Sequence, residues 1–530
     1  MSFIFNNHVF YCCILMIICS CDRQQSTEHK AHSTPLSVTE NYKPPVFAKD
    51  NRLEKVSGII PEMQQMIEDH ATTNNIPGIA YGIVVDDELV VASATGLINL
   101  ENKLPATTRS SFRIASMTKS FTAMAILKLR DEGKLSLSDP VAQYINEMSG
   151  IEYLTADSPP IDIENLLTMT AGFPEDNPWG DRQLDEPDQM LMDLVEEGFS
   201  LSNPPSLSYE YSNTGYALLG NIISRVSGKP YQEYIRDKIL QPLGMEQTYW
   251  EYDNVPAEHL AAGYRWENEQ WRLEPMLHDG SYGSMGGLIT SIEDFSKYVS
   301  FHLSAWPPRS DDDSGPVKRS TLREMQTPKF SHLNSDASDL NDDTCAVISG
   351  YGYGLSILMD CHEFKWISHG GALPGFGSNY VIFPEYGIGI MAFCNLTYTS
   401  PYPATKIKKL LFKTIGLQPR ELPVSAILAE RQEQVAQLIQ TWDKDLEAEI
   451  LAENFYLDKS REQRISELQA VLDNAGTVQG MEKIKPLNQL RGNFQLKTEN
   501  GSIHVFFTLT PENIPKVQRL VVSFQPRKTN

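Results

Sequence analysis

The chain has 530 residues, of which 41% are hydrophobic and 21% charged, a balance that suits one large folded domain plus a smaller one rather than a disordered chain. Asp and Glu number 68 against 45 Lys and Arg, for a formal charge of −23. So acidic a surface repels phosphates and gains nothing from anionic lipid, which argues against nucleic-acid partners. Beyond the extreme N-terminus no apolar run is long enough to span a bilayer.

The N-terminal run, VFYCCILMIICSC, has the length of a signal-peptide core. Ile18-Cys19-Ser20-Cys21 resembles a bacterial lipobox, in which the last Cys is lipidated and becomes the new N-terminus. One departure is that residues 1–20 contain no Lys or Arg. The expectation is a signal peptide over 1–20, an exported periplasmic or cell-surface protein, and membrane attachment only through a lipid on Cys21. Residues 21–54 are polar, carry Pro35, Pro44 and Pro45, and read as a tether.

Helical spacing then runs from Arg52 to the stop at Pro77-Gly78. GIAYGIVVDDELVVASATG alternates and turns at Asp86-Asp87, the pattern of a hairpin. RIASMTKSFTAMAILKLRDEG reads as an apolar helix ending at Gly133, and Asp139-Pro140 as the start of another. Residues 161–245 are helical and loop-like. Strands return with GYGYGLSIL, HEFKWIS and GSNYVIFPEYGIGIMAFCN, interrupted by two polar excursions, WPPRSDDDSGP and NSDASDLNDD. After about residue 418 a helical segment over 424–455 and strands around an Asn500-Gly501 turn form a small appendage, 419–530.

Three short motifs could carry chemistry. Ser116-Met117-Thr118-Lys119 is the one S-x-x-K in the chain. Its i, i+3 spacing at a helix start brings a hydroxyl and an amine to one face, and that amine is a base only when burial or a cationic neighbour keeps it neutral. Tyr211-Ser212-Asn213 precedes an apolar helix, unlike the Y-x-N at Tyr144, expected inside a helix, or at Tyr252, in an acidic stretch. A phenol near a lysine can relay protons, and an amide can hold both the lysine and a carbonyl. His369-Gly370-Gly371 ends a strand, where glycines let a substrate lie close and leave N–H groups to polarise a carbonyl. Each motif has a plain alternative: a capped helix, a loop tyrosine, a glycine-rich turn. His278, in MLHDGSYGSMGG, reads more readily as a loop histidine than as a cleft residue.

In this order, over about residues 55–415, the three motifs resemble the serine β-lactamase and penicillin-binding protein superfamily, closest to its class C β-lactamase-like branch. ENLLTMTAGFP and GSMGGLITSIEDFSKYV are similar to supporting stretches of that family. The resemblance implies an α/β (α+β) transpeptidase-like domain over 55–418, with a mostly antiparallel sheet flanked by helices and a helical insertion. It also implies an acyl-enzyme on Ser116, with Lys119 sharing its proton and Tyr211 as base and leaving-group donor. Asn213 would position substrate. The oxyanion hole would be the N–H groups of Ser116 and Ala372, beside Gly370 and Gly371. Where the family carries Lys-Thr-Gly this chain has His369, which puts efficient β-lactam hydrolysis in doubt and favours an ester, amide or peptide substrate. A D-alanine-processing peptidase, a true β-lactamase, or a weakly catalytic protein that binds penicillin or cell-wall fragments are the rivals.

No metal or organic cofactor is implied: the chain lacks H-E-x-x-H, G-x-S-x-G and a P-loop. Past the leader, Cys345, Cys361 and Cys394 form no C-x-x-C pair. A Cys345–Cys361 bridge and three free thiols are equally compatible with the sequence.

Overall fold

The computed structural model describes residues 41–527. The leader, Cys21 and most of the expected tether lie outside the described residues. The chain divides into two compact units between Pro423 and Val424, five residues beyond the expected boundary.

The larger unit is built on one antiparallel sheet with strand order β3-β2-β1-β13-β12-β11-β10-β9-β8. Its strands are β1 (Gly78–Val85), β2 (Glu88–Asn99), β3 (Leu104–Pro105), β8 (Phe330–Asn334), β9 (Val347–Tyr351), β10 (Ser356–Asp360), β11 (Lys365–Leu373), β12 (Phe376–Phe383) and β13 (Ile388–Cys394). Between β3 and β8, β4 (Phe112–Arg113) pairs with β7 (Ile289–Thr290), and β5 (Tyr264–Glu267) with β6 (Gln270–Leu273). The β1–β2 hairpin turns at Asp86-Asp87 as expected. Its alternation, however, is not buried against exposed, because every β1 residue is buried. Ala80 and Val84 join one apolar layer while Ile79, Tyr81, Ile83 and Val85 join the other. β1 is central and covered on both faces, so its residues are apolar throughout.

Helices α1 (Arg52–Gly58), α2 (Ile60–Thr73) and α11 (Ala404–Lys409) contribute to the second layer through Val56, Met63, Ile67 and Ile407. The helix expected from Arg52 is therefore two, since Pro61 lacks an N–H and opens α2. The opposite layer holds α3 (Thr118–Asp131), α4 (Ile163–Thr168), α5 (Asp188–Glu197), α6 (Asn213–Ser227), α7 (Tyr231–Ile235), α8 (Gly283–Gly286), α9 (Ile292–Ser304) and α10 (Arg319–Met325). α3 is buried from Thr118 through Leu127, as befits a helix enclosed on all sides. Its Phe121 stacks on Tyr298 of α9 with ring centroids 3.9 Å apart.

Other expectations need correction. The unit begins at Lys43 rather than 55. Val46 and Glu421 exchange backbone hydrogen bonds of 3.0 and 2.7 Å, and the guanidiniums of Arg52 and Arg420 lie 3.5 and 4.5 Å from the Phe47 ring. No helix follows Pro140. Two short 3₁₀ turns, Val141–Gln143 and Asn146–Gly150, form there instead, and Asp139 closes the turn before them by accepting from Ser136 N (2.7 Å) and from the Tyr144 hydroxyl (2.6 Å). Cys345 and Cys361 form a disulfide, leaving Cys394 buried and free.

The smaller unit contains α12 (Ala426–Thr441), α13 (Lys444–Ile450), α14 (Arg461–Ala475) and a sheet of β14 (Val478–Met481), β15 (Lys485–Asn488), β16 (Arg491–Thr498), β17 (Gly501–Leu509) and β18 (Val517–Pro526). The expected helix breaks at Trp442, which is left-handed, before the Asp443 cap of α13. The turn at Asn500-Gly501 joins β16 to β17. Val435, Ile439, Phe494, Val505 and Phe507 form a core of its own. Among the described residues no helix is long and apolar enough to cross a membrane.

Because the larger unit encloses its own two apolar layers, residues 43–423 produced alone should unfold in one cooperative thermal transition with native near-UV circular dichroism. A chain that lacks tertiary signal would show that the appendage supplies part of its stability.

Candidate active site

Ser116 sits in a 3₁₀ turn, Ala115–Met117, directly before α3. Ala115 has φ of +50°, a left-handed conformation that costs an L-residue about 1–2 kcal/mol. The surroundings hold it there. Ser378 Oγ on β12 donates to Ile114 O at 2.7 Å, and Ile114 N donates to Leu288 O at 2.9 Å. β11 lies so close that a Cβ on Gly371 would stand 2.2 Å from Ile114 O. Only glycine permits that approach.

One helical turn on, Lys119 is completely buried. Its Nζ lies 3.1 Å from Ser116 Oγ, 2.7 Å from Asn213 Oδ1 and 2.9 Å from the Met285 carbonyl. Burial pulls the amine down to about 7, while the fields of Asp181 and Asp176 pull it back up. A neutral amine has two N–H groups and one lone pair. Asn213 and Met285 offer only acceptors and take the two N–H groups, so the lone pair faces the Ser116 hydroxyl.

Two helix termini supply those acceptors. Asp176 caps α6, accepting from Asn213 N (2.7 Å), Thr214 N (2.8 Å) and Thr214 Oγ1 (2.8 Å), a favourable place for a carboxylate. The short α8 that carries Met285 is wedged between α3 and α6. Thr122 Oγ1 donates to Ser284 O (2.6 Å), and Ser284 Oγ to Tyr216 O (2.9 Å).

Tyr211 lines the cleft beside Ser116, and burial holds its phenol well above its usual 10, against a smaller downward pull from the Ser116 hydroxyl. The free site thus keeps the proton on Tyr211 and loosens it on Lys119. That runs against Tyr211 as the resting base. His369, on β11, is almost wholly buried. Its Nδ1–H donates to Gly370 O (2.6 Å), and its Nε2 accepts from the Tyr351 hydroxyl (3.0 Å). Burial and the nearby Lys119 push it down to about 4, so it is neutral at pH 7.

Ser116, Tyr211, His369, Gly370, Gly371 and Ala372 line one cleft of about 630 Å³. Asn213 does not. It is completely buried, and its Nδ2 is spent on Asn177 Oδ1 at 2.5 Å. Of the two contacts expected of its amide the one to Lys119 is present, while Asn177 rather than Asn213 lines the cleft. His278 lies outside the cleft, exposed, paired with Glu251 (3.0 Å) and the Tyr252 hydroxyl (3.0 Å) rather than with backbone. Sequence reasoning missed Asp176, Asn177, Asp181, Ser378 and Tyr398. The first three follow immediately after ENLLTMTAGFP, a stretch whose similarity to the family was already visible.

A lysine–serine pair at the head of a buried helix, beneath an antiparallel sheet, defines the transpeptidase-like fold of β-lactamases and penicillin-binding proteins. The family described as Beta-lactamase matches residues 63–413, and the chain belongs to it, within the serine hydrolase superfamily. It is similar to Beta-lactamase-like protein 2 of Dictyostelium discoideum, 29% identical over 404 residues (74% of this chain, 66% of that protein). Protein flp of Staphylococcus aureus strain MW2 is 28% identical over 379 residues, 70% of each chain. The chain thus spans about two thirds of the length of these relatives. Among solved structures, an octameric penicillin-binding protein homologue from Pyrococcus abyssi has a TM-score of 0.55 and 23% identity, covering 88% of this chain and 98% of that one. A penicillin-binding protein from Bacillus halodurans gives a TM-score of 0.51 and 23% identity, over 65% and 99%.

Replacing Asn213 with Ala removes one of the acceptors of Lys119 and leaves Asn177 Oδ1 unpaired. Folding stability should fall by about 1–3 kcal/mol, and kcat on p-nitrophenyl acetate by about 100-fold. A lower melting temperature with unchanged kcat would reduce Asn213 to a structural cap.

Proposed function

We propose that the protein is an exported serine hydrolase that forms an acyl-enzyme from an ester or amide. The observation that supports it most is the 3.1 Å contact between Ser116 Oγ and a buried, near-neutral Lys119 amine. Oγ attacks the carbonyl carbon while its proton passes to Lys119 Nζ. The Ser116 and Ala372 N–H groups receive the developing oxyanion. Tyr211, still protonated, gives its proton to the leaving oxygen or nitrogen as its bond to carbon breaks and is reprotonated by Lys119, which returns to the neutral amine. Water then takes the place of the leaving group, attacks the acyl-serine, and returns the proton to Oγ. The neutral His369 offers a substrate carboxylate no fixed cation, which supports esters, amides or peptides over penicillins.

Export rests on the leader, and the Cys345–Cys361 bridge suits an oxidising compartment. A fluorophosphonate should add one label per chain, recovered with membranes. Ser116→Ala should abolish the label, and Cys21→Ser should move the labelled protein to the soluble fraction. A label that survives Ser116→Ala would remove Ser116 from the chemistry, and soluble wild type would remove the anchor.

The pH dependence has a definite sign. A protonated Lys119 cannot accept a proton, and with its pKa near 7 the neutral fraction rises about tenfold between pH 6 and pH 8. kcat/KM on p-nitrophenyl acetate should rise by that factor and then level off. A flat profile across that window would exclude Lys119 as the acceptor.

A further inference from the structure

Asp181 is a carboxylate the acyl-transfer steps do not use. It stands in the 3₁₀ turn Gly180–Arg182, 3% exposed, and lines the cleft. Its Oδ2 accepts from the Tyr398 hydroxyl at 3.1 Å. Among the described residues no donor reaches Oδ1 and no ion pair within 4 Å joins Asp181 to Arg182, although both line a second, smaller cavity with Arg113 and the field of Arg182 favours the Asp181 carboxylate. A buried carboxylate with half its acceptors free is costly unless something pairs it.

The rest of the cleft sharpens the point. Among the described lining residues Asp181 is the one carboxylate, burial raising its proton affinity while Lys119 and the Tyr398 hydroxyl lower it; His369 is neutral and Lys119 lies beneath the floor. Ser378, Asn379, Asn177 and Tyr398 add uncharged polar groups. The cleft thus holds an acid and no fixed cation, on a chain of net charge −23 that draws cations toward it, and a bound cation would itself favour the ionised Asp181.

We propose that Asp181 is a specificity residue that binds an ammonium group on the substrate, so that this site prefers amides or esters bearing a free amine near the scissile carbonyl. The inference rests on the serine hydrolase reading. The net reaction is hydrolysis: the carbonyl carbon gains an oxygen from water and is released as a carboxylate, and the leaving amine or alcohol keeps the proton. Recognition and catalysis are linked through charge. Asp181 is one of the two carboxylates whose field raises the proton affinity of Lys119 against the larger effect of burial, so an ammonium seated on it offsets that field and favours the neutral amine that Ser116 needs.

Binding and turnover test this separately. In full-length Ser116→Ala, calorimetry at pH 7 should give alanine p-nitroanilide a Kd at least tenfold below that of its N-acetyl derivative, with the N-succinyl derivative weakest, for at least one enantiomer. Adding Asp181→Asn should bring the first ratio close to one. Should that variant not fold, the ratio in Ser116→Ala should still collapse at pH 9.5, where an α-amine with its usual pKa of about 7.7–8.0 is uncharged. Equal Kd values at pH 7, tighter binding of the N-acetyl compound, or a ratio that survives Asp181→Asn would overturn the proposal. In the wild type, absence of p-nitroaniline and p-nitrophenol release from all substrates would instead overturn the hydrolase reading, whatever the Kd ratio.

Discussion

The lysine amine that never meets water is the constraint on which the rest of the site depends. An ammonium in a low-dielectric interior is expensive, and without a direct ion-pair partner the amine's pKa falls to about 7. Oxygens fixed by two helix termini replace water. One comes from the Asn213 amide at the start of α6, the other from the Met285 carbonyl in α8. Each is held by something further out. Asp176 binds the first turn of α6, and the Thr122 and Ser284 hydroxyls clamp α8 between its neighbours. A Cβ on Gly220 would stand 2.3 Å from Ser284 Oγ, so that clamp closes only over a glycine. The nucleophile is activated by packing.

β11 presents the opposite wall as backbone rather than as charge. Where the family resemblance leads one to look for a fixed cation, the His369 ring is tied by both nitrogens, one to its own strand and one to Tyr351. Its place in the cleft is that of a neutral spacer. The carboxylate that lines the same cleft is Asp181, far along the sequence from the motif on that strand.

Much of this was legible in the residues. The nucleophile, the lysine, the tyrosine and the glycine strand follow from motif order, and the β1–β2 hairpin from its turn. What stayed hidden depends on long-range packing. Ala115 is an unremarkable residue in sequence, and its left-handed φ exists only because Gly371 and Ser378 press on the turn from a strand over 250 residues away. The motif offered the Asn213 amide both the lysine and a substrate carbonyl; in the fold its two ends meet Lys119 and Asn177. Tyr211 was read as a base because its neighbours in space, which set its proton affinity, are not its neighbours in sequence. Phe47 gave no sign that two arginines would sandwich it and draw a polar segment onto the domain.

The sheet order has a consequence for how the molecule comes into being. β1 lies between β2 and β13, with Ile79 opposite Cys394, so one edge of the earliest hairpin waits for a partner from the far end of the domain. Until then its apolar residues and unpaired backbone groups are open to any other strand. Closure across so many intervening residues is entropically demanding and slow, and the enclosed helix that carries Ser116 cannot be sealed before it. Synthesis of the whole domain thus precedes assembly of its centre, and a nascent chain held extended, out of reach of its own copies, until residue 394 is free has the safest route to the folded state.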